Sequence, residues 1–551
     1  MIDACSRKTQ TMKTRLLTLV AMAALLAGCA TGARGPLKLT VLHTNDHHGR
    51  FWPNSDGEYG LAARKTLIDR VRAEVAAAGG QLLLLDGGDI NTGVPESDLQ
   101  DAEPDFKGMN LLGYDAAAIG NHEFDKPLIV LAKQIEWSKF PLLSANIYNR
   151  RTGQRMYEPY RIFERGGYRI AVMGLTTDDS SKMVLQSNIV NVEFRKPADE
   201  AAKLVPELRG SAVRADMVIA ATHMGHYTDA KSGVNAPGDV EMARAVKGID
   251  LIVGGHSQNP VCMKAENQRN DAYVPGQPCA PDRQNGAWIV QAHEWGKYVG
   301  RADFVLDGAK VELVRYQLLP VNLKQRVSGQ PPKLYADAIA EDAGVRDFLK
   351  PFRDNGQARL LVPVGETVGV FDGDRTRVRA QPTTLGILIA RSMLERTGAD
   401  LAIMNSGGIR DSLPEGRIAY RDVLKVQPFA NQLSLVRLSG AELLKYLEAT
   451  AKMAPGAGAF PHTAGVQMVI EGGVLKEARV NNQPLDPRRE YRLAINNFMA
   501  GGGDGYPKLS DHPGHVNTGF NDADAMRAFI TAKSPVKAVD FVPNPNDVVR
   551  R

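Results

Sequence analysis

The sequence predicts an α/β fold, and three observations carry that expectation: short apolar runs recur, helical stretches lie between several of them, and each run finishes in polar residues close to glycine. The first run, Leu37-Lys38-Leu39-Thr40-Val41-Leu42, reads as a strand entering His43-Thr44-Asn45-Asp46-His47-His48-Gly49. A carboxylate and an imidazole, Asp46 and His48, thus stand two residues apart just past its end. Residues 61–78 show helical spacing with alternating charges. A run at 81–85 ends in Asp86-Gly87-Gly88-Asp89, and one at 116–119 ends in Gly120-Asn121-His122-Glu123-Phe124-Asp125. Residues 216–221 lead into Thr222-His223-Met224-Gly225-His226, and residues 249–253 into Gly254-Gly255-His256-Ser257-Gln258. In such folds the strand ends gather at one sheet edge, where sites are built, and glycine beside the ligands lets backbones approach.

Asp46, His48, Asp89, Asn121, His223, His256 and Gln258 are the candidate metal ligands. They exceed what one tetrahedral ion takes, so two ions sharing Asp89 are expected. Carboxylate, imidazole and amide donors suit zinc, manganese, cobalt or iron better than a thiolate-seeking ion. His43, His47 and His226 are expected to be hydrogen-bonding neighbours and His293 structural, because the ligand set is already filled.

The blocks Asp46-His47-His48, Gly88-Asp89, Gly120-Asn121-His122-Glu123, Thr222-His223 and Gly254-Gly255-His256 resemble the calcineurin-like metallophosphoesterase signature. The resemblance implies an N-terminal β-sandwich flanked by helices. It implies one metal on Asp46, His48, Asp89 and Gln258 and a second on Asp89, Asn121, His223 and His256. It also makes His122 catalytic, stabilising charge on the phosphoryl group or leaving oxygen, with Asp125 orienting it and holding it protonated.

At 551 residues the chain is long enough for several domains. Its formal charge of +5 comes partly from Arg7, Lys8, Lys13 and Arg15 in the leader, and it is no footprint for a nucleic-acid polymer. Lys13 and Arg15, an apolar run from Leu16 to Ala27 and small residues before Cys29 predict a signal peptide over 1–28. Leu26-Ala27-Gly28-Cys29 resembles a lipobox, which implies lipidation of Cys29 and a periplasmic, lipid-anchored protein that meets the membrane only through that anchor. In an exported chain Cys262 and Cys279 are expected to form a disulfide, worth about 3 kcal/mol in the chain-entropy model.

Ile339, Val345, Phe348, Leu349 and Phe352 recur at helical spacing, predicting a linker helix over 336–360 that Pro351 kinks or stops. The domains expected on either side are 36–335, catalytic, and 361–551, an α/β binding domain. Arg375 and Arg379 lie four apart and Arg410 follows Asn405-Ser406-Gly407-Gly408-Ile409; guanidinium groups suit phosphate, although such a cluster is ordinarily a solvated face. Gly501-Gly502-Gly503-Asp504-Gly505 is no P-loop, since no Lys-Ser or Lys-Thr follows.

These stretches, with Val426-Gln427-Pro428-Phe429-Ala430-Asn431 and Asn497-Phe498, resemble the substrate-binding domain of 5'-nucleotidases. The resemblance implies that Arg375, Arg379 and Arg410 hold phosphate, that Phe429 and Phe498 sandwich a base, and that Asn431 and Asp504 contact base or ribose. Ala430 stands where a glycine is expected. From Leu37 onward the chain resembles the bacterial periplasmic UDP-sugar hydrolase and 5'-nucleotidase family. This implies a monomer that splits nucleotides to nucleoside and phosphate, and UDP-sugars to UMP and sugar 1-phosphate, with a domain rotation carrying substrate to the metals. A 2',3'-cyclic nucleotide phosphodiesterase with 3'-nucleotidase activity and an inactive surface nucleotide-binding protein are the alternatives.

Overall fold

Five core strands of the N-terminal half carry the expected apolar runs, but they divide between two stacked sheets. The computed structural model describes residues 34–550 except 186–187, 228–236, 266 and 328–329; the expected signal peptide and the lipidation expected at Cys29 lie outside the described residues. The first sheet runs in the order Lys310–Pro320, Tyr298–Asp307, Leu37–Thr44, Gln81–Asp86, Ala116–Ala118 and Leu142–Leu143. The second runs Asp282–Gln284, Ala287–Val290, Leu251–Val253, Met217–His223, Tyr168–Thr176 and Tyr160–Arg165.

Both faces of the central strands are buried, which is why they read as nearly continuous apolar runs. Leu39, Val41, Leu83 and Leu85 of the first sheet share one core with Ile170, Val172, Ile219 and Val253 of the second. On the outer face of the first sheet, Leu67, Ile68, Val71 and Val75 of helix Leu61–Ala77 close a second core with Leu42 and Leu84. Helices Pro197–Arg209 and Asp239–Ala245 cover the far face of the second sheet through Leu204, Leu208, Val240 and Ala243. The result is a β-sandwich flanked by helices, with Leu37–Thr44 parallel to Gln81–Asp86 and both strand ends at the same edge.

The expected single sheet edge is therefore an edge assembled from two sheets. His223 is the last residue of its strand rather than a residue beyond it. The two sheets meet there because glycine omits its side chain: a Cβ at Gly87 would lie 2.6 Å from the Gly254 carbonyl oxygen. The expected disulfide joins Cys262 and Cys279.

The linker helix spans Ala343–Leu360, starting later than 336 because the Asp342 side chain caps it at the Val345 N–H. Pro351 does not stop it. Asp347, whose carbonyl loses its partner at Pro351, is exposed to water, and Val345 and Leu349 anchor the helix in the core beneath helix Leu61–Ala77. Beyond it, Pro461–Ala464, Leu401–Asn405, Glu490–Asn496, Gln432–Ser439 and His515–Asn521 form a mixed five-stranded sheet. Helices Thr384–Thr397 and Asp522–Lys533 pack on one face and Gly440–Ala451 on the other, an α/β arrangement. Among the described residues no helix is long and apolar enough to cross a membrane.

Candidate active site

The loops after the first two parallel strands run side by side. Asp46 N donates to Gly88 O at 2.9 Å and His48 N to Asp89 O at 3.0 Å. Asp46, His48, Asp89, His256 and Gln258 all adopt positive φ, between 50° and 76°. Non-glycine residues pay roughly 1–3 kcal/mol each for such backbone, a cost borne where surrounding structure fixes the conformation. Here a buried carboxylate does much of the fixing: Glu123 accepts from Gly120 N at 2.6 Å, Ile90 N at 2.8 Å, Asp89 N at 3.2 Å and Asn91 N at 3.3 Å. Asn45 performs a similar task for Asp46, donating to its Oδ2 at 2.7 Å while accepting from Ala292 N at 2.8 Å.

Six of the expected ligands crowd around Asp89. His223 Nε2 lies 2.9 Å and His48 Nε2 3.8 Å from Asp89 Oδ2, and Asp46 Oδ1 lies 3.7 Å from His48 Nε2. His256 Nδ1 faces Asn121 Oδ1 at 3.0 Å, and Gln258 Nε2 faces His48 Nε2 at 2.7 Å. Two groups of donor atoms, His48 with Asp89 and His122, and Asp89 with His223 and His256, each lie within 4.8 Å and share only Asp89. The arrangement suits a pair of cations. His48 Nδ1 is committed to the Thr92 carbonyl at 2.8 Å and His223 Nδ1 to the Gly87 carbonyl at 2.7 Å, so each Nε2 lone pair points into the cluster. Asp46 Oδ1 is buried without a hydrogen-bond partner among the described residues, as a donor atom reserved for a metal would be.

His122 differs from its neighbours. Its backbone N–H donates to Asp89 Oδ1 at 2.9 Å, and its Nδ1 lies 2.6 Å from Asp125 Oδ2. Burial works to lower its pKa, but the Asp125 and Asp89 carboxylates outweigh it and raise the value above 6.5. The Asp125 contact at Nδ1 and the charge of the two carboxylates favour the protonated ring, which donates from Nε2, and so set His122 apart from His48 and His223.

The remaining histidines partly depart from expectation. His47 Nε2 pairs with Asp105 Oδ1 at 2.8 Å and His226 Nε2 with Asp282 Oδ2 at 2.9 Å, as hydrogen-bonding neighbours. His43 is not one: among the described residues neither ring nitrogen has a hydrogen-bond partner, because the ring stacks on Tyr316 and fills the space left by Gly300. Burial lowers its pKa to about 3 and keeps it neutral. His293 stacks on Tyr298.

The C-terminal half brings its own residues to this edge. Arg375 and Arg379 lie on helix Arg375–Ala380, capped by Asp374, and Arg375 Nη1 donates to Gln258 Oε1. Phe429 stacks on His122 with ring centroids 5.7 Å apart and planes 10° from parallel, and the Arg410 guanidinium lies 5.5 Å from the Phe429 ring centre. Burial first and Arg375 second pull the Arg410 pKa down to about 10, while burial and its two arginine neighbours lower Arg379 as well. The charges of Arg379 and Arg410, disfavoured by burial and by neighbouring arginines, would be relieved by an anion.

Phe498 rests on Gly503, where a Cβ would come within 2.5 Å of the ring. Asp504, with φ 55°, accepts from Asn405 Nδ2 at 2.8 Å. Asn431 is engaged by Asp522, through the Asp522 N–H to its carbonyl at 2.8 Å and through the Asp522 carboxylate. Ala430 adopts φ 53°, the backbone a glycine would take, with alanine's Cβ exposed at the surface. Glu123, Asn45 and Asn405 stand in the motifs without a role that sequence assigns; only the spatial partners of their side chains reveal one.

The calcineurin-like phosphoesterase family matches residues 39–260, and the 5'-nucleotidase C-terminal domain family matches residues 362–511. Protein UshA of Escherichia coli strain K12 is 56% identical over 512 residues, 92% of this chain and 93% of that protein. A 5'-nucleotidase of Vibrio vulnificus strain CMCP6 is 51% identical over 97% of this chain and 99% of its own length. Among solved structures, a 5'-nucleotidase precursor from Thermus thermophilus aligns with a TM-score of 0.78 and 29% identity, covering 93% of this chain and 99% of that one.

Proposed function

Since the chain belongs to the 5'-nucleotidase family of calcineurin-like phosphoesterases and is a metal-dependent hydrolase, we propose that it converts extracytoplasmic nucleoside 5'-phosphates to nucleoside and phosphate, and UDP-sugars to UMP and sugar 1-phosphate. Asp46, His48, Asp89 and Gln258 hold one divalent ion, and Asp89, Asn121, His223 and His256 the other, with zinc, manganese or cobalt the ions in use. Ions bound there lower the pKa of water and offset the charge of an in-line displacement.

The chain's own residues do the rest. Arg375, Arg379 and Arg410 hold the phosphoryl oxygens, Phe429 and Phe498 take the base, and Asn431 and Asp504 contact base or ribose. As water adds to phosphorus and the bond to the leaving oxygen breaks, His122 supplies a proton or hydrogen bond from Nε2 to that oxygen, and Asp125 keeps the ring aligned and charged. The catalytic domain spans 36–335, the linker 336–360 and the binding domain 361–551. The protein works as a monomer, anchored in the periplasm through a lipid on Cys29.

The observation that carries this reading is the meeting of both halves at one place: Arg375 reaches Gln258, and Phe429 stacks on His122. The test is turnover of AMP, UDP-glucose and 2',3'-cyclic AMP by metal-replete protein, with metal content measured on the same sample. Faster release from AMP and UDP-glucose is expected. A strong preference for the cyclic substrate would replace the reading with a cyclic phosphodiesterase, and no phosphate from any nucleotide would end it.

A further inference from the structure

Asn496 is a wholly buried polar side chain at the end of strand Glu490–Asn496, with no assigned task in binding or catalysis. Its amide is used at both ends. Oδ1 accepts from Met499 N at 2.8 Å and so caps the turn Asn497–Ala500, which carries Phe498. Nδ2 donates to Asn405 Oδ1 at 3.0 Å, and Asn405 Nδ2 in turn donates to Asp504 Oδ2 at 2.8 Å. The order of these bonds matters. Because the Asn405 oxygen is taken by Asn496, the Asn405 nitrogen must face Asp504, which fixes the acceptor orientation of that carboxylate.

The two branches also close on each other. Phe498 lies against Gly503, the residue before Asp504, so the turn that carries the ring packs on the turn Gly503–Gly505 that carries the carboxylate. A buried amide adds little net stability compared with an apolar side chain of like volume, but it is costly once one partner is lost. A group of this kind specifies geometry more than it stabilises the fold.

We propose that Asn496 is a positioning residue that holds the ring of Phe498 and, through Asn405, the carboxylate of Asp504 in register, so that base and ribose are gripped as one unit. This rests on the nucleotidase reading given above. It makes nucleoside recognition sensitive to Asn496, although the side chain touches no substrate.

The experiment compares Asn496→Ala and Asn496→Ser in the metal-replete full chain. Serine can still cap the turn but cannot reach Asn405, so it separates the two branches. For Asn496→Ala, KM for AMP should rise about tenfold, the equivalent of one hydrogen bond, with metal content and the rate on p-nitrophenyl phosphate, which has neither base nor ribose, unchanged. For Asn496→Ser, which keeps the cap, thermal stability should fall less than in Asn496→Ala while KM for AMP still rises about fivefold through the lost Asn405 branch. Adenosine affinity, measured by calorimetry, should fall in step in both variants, and adding Asn405→Ala to Asn496→Ser should cost little more. Equal fractional losses on AMP and p-nitrophenyl phosphate, or unchanged adenosine affinity in Asn496→Ser, would overturn the proposal. Wild-type protein that turns over no nucleotide would refute the nucleotidase reading instead, and the adenosine measurement would still decide the role of Asn496.

Discussion

The two halves build their parts of the site in opposite ways. On the catalytic side the ligand loops are locked: five ligand-type residues sit in left-handed backbone, and Glu123 alone ties four backbone N–H groups. On the binding side the key groups stand on short helices and turns, with Arg375, Arg410, Phe429 and Phe498 only partly buried. The difference follows from what each must hold. Two cations a few ångströms apart demand donor atoms fixed before they arrive, whereas a phosphate with a flat base can be gripped by charge and stacking that tolerate movement.

The most severe way to break this contrast is to remove its shared carboxylate. Asp89→Ala should lower activity by about a thousandfold or more, since several kcal/mol of charge stabilisation go with the metals, and metal analysis should find both sites depleted. Retention of full metal content would contradict the bridging role. Chelation of wild-type protein should produce the same loss, reversed by added divalent ion.

His122 stands where the two sides touch, and its protonation tests which side controls it. Burial opposes charge on this ring, and Asp125 with Asp89 overcomes that, so the imidazolium persists above its ordinary titration range. Asp125→Asn should cost about a hundredfold in kcat. Removing that negative charge lowers the His122 pKa, so the alkaline limb of the rate profile should move to lower pH. A limb that stays in place would mean that Asp125 does not hold the proton.

Arg410→Ala probes the tolerant side. It should raise KM for AMP about thirtyfold, roughly 2 kcal/mol for a charge-assisted hydrogen bond, with both metals retained. Metal loss in this variant would show that the binding side also props up the ligands, and the contrast would fail.

Legibility in the sequence follows the same divide. The proposed ligands are legible because the runs they follow are buried on both faces and so leave apolar stretches, and Asp46, Asp89, Asn121, His223 and His256 each lie at or beside such an end. The partition of those strands into two sheets is not, since a buried strand looks the same in either. Nor is the positive φ of Asp46 or Gln258, which comes from tertiary constraint rather than from residue type. Pro351 reads as a kink or stop because the sequence does not tell whether water reaches the freed carbonyl; the exposure of Asp347 lowers that penalty, and the helix runs on to Leu360. The arginines are ambiguous for a physical reason: a solvated face and a phosphate clamp differ in what lies opposite them, and Gln258 and His122 come from more than a hundred residues away.

The smallest effect should come from the seam that brings the halves together. Arg421 Nε donates to Glu96, a buried carboxylate on the short helix Pro95–Asp98, and Gly356 of the linker helix lies against Glu96, where a Cβ would approach within about 3 Å. Gln100 Nε2 adds a bond to the Phe352 carbonyl at 2.9 Å. Arg421 belongs to helix Tyr420–Val426, which leads directly to Phe429. Neutralising the carboxylate with Glu96→Gln keeps a hydrogen bond and removes the ion pair, so its effect should be about threefold, less than 1 kcal/mol for a partly exposed pair. It should fall on KM for AMP alone, with metal content and turnover of p-nitrophenyl phosphate unchanged, because the seam orients Phe429 while the ligand loops are braced by Glu123 and Asn45. An equal loss on both substrates would place Glu96 among the supports of the metal loops, and the rigid side would then extend across the seam.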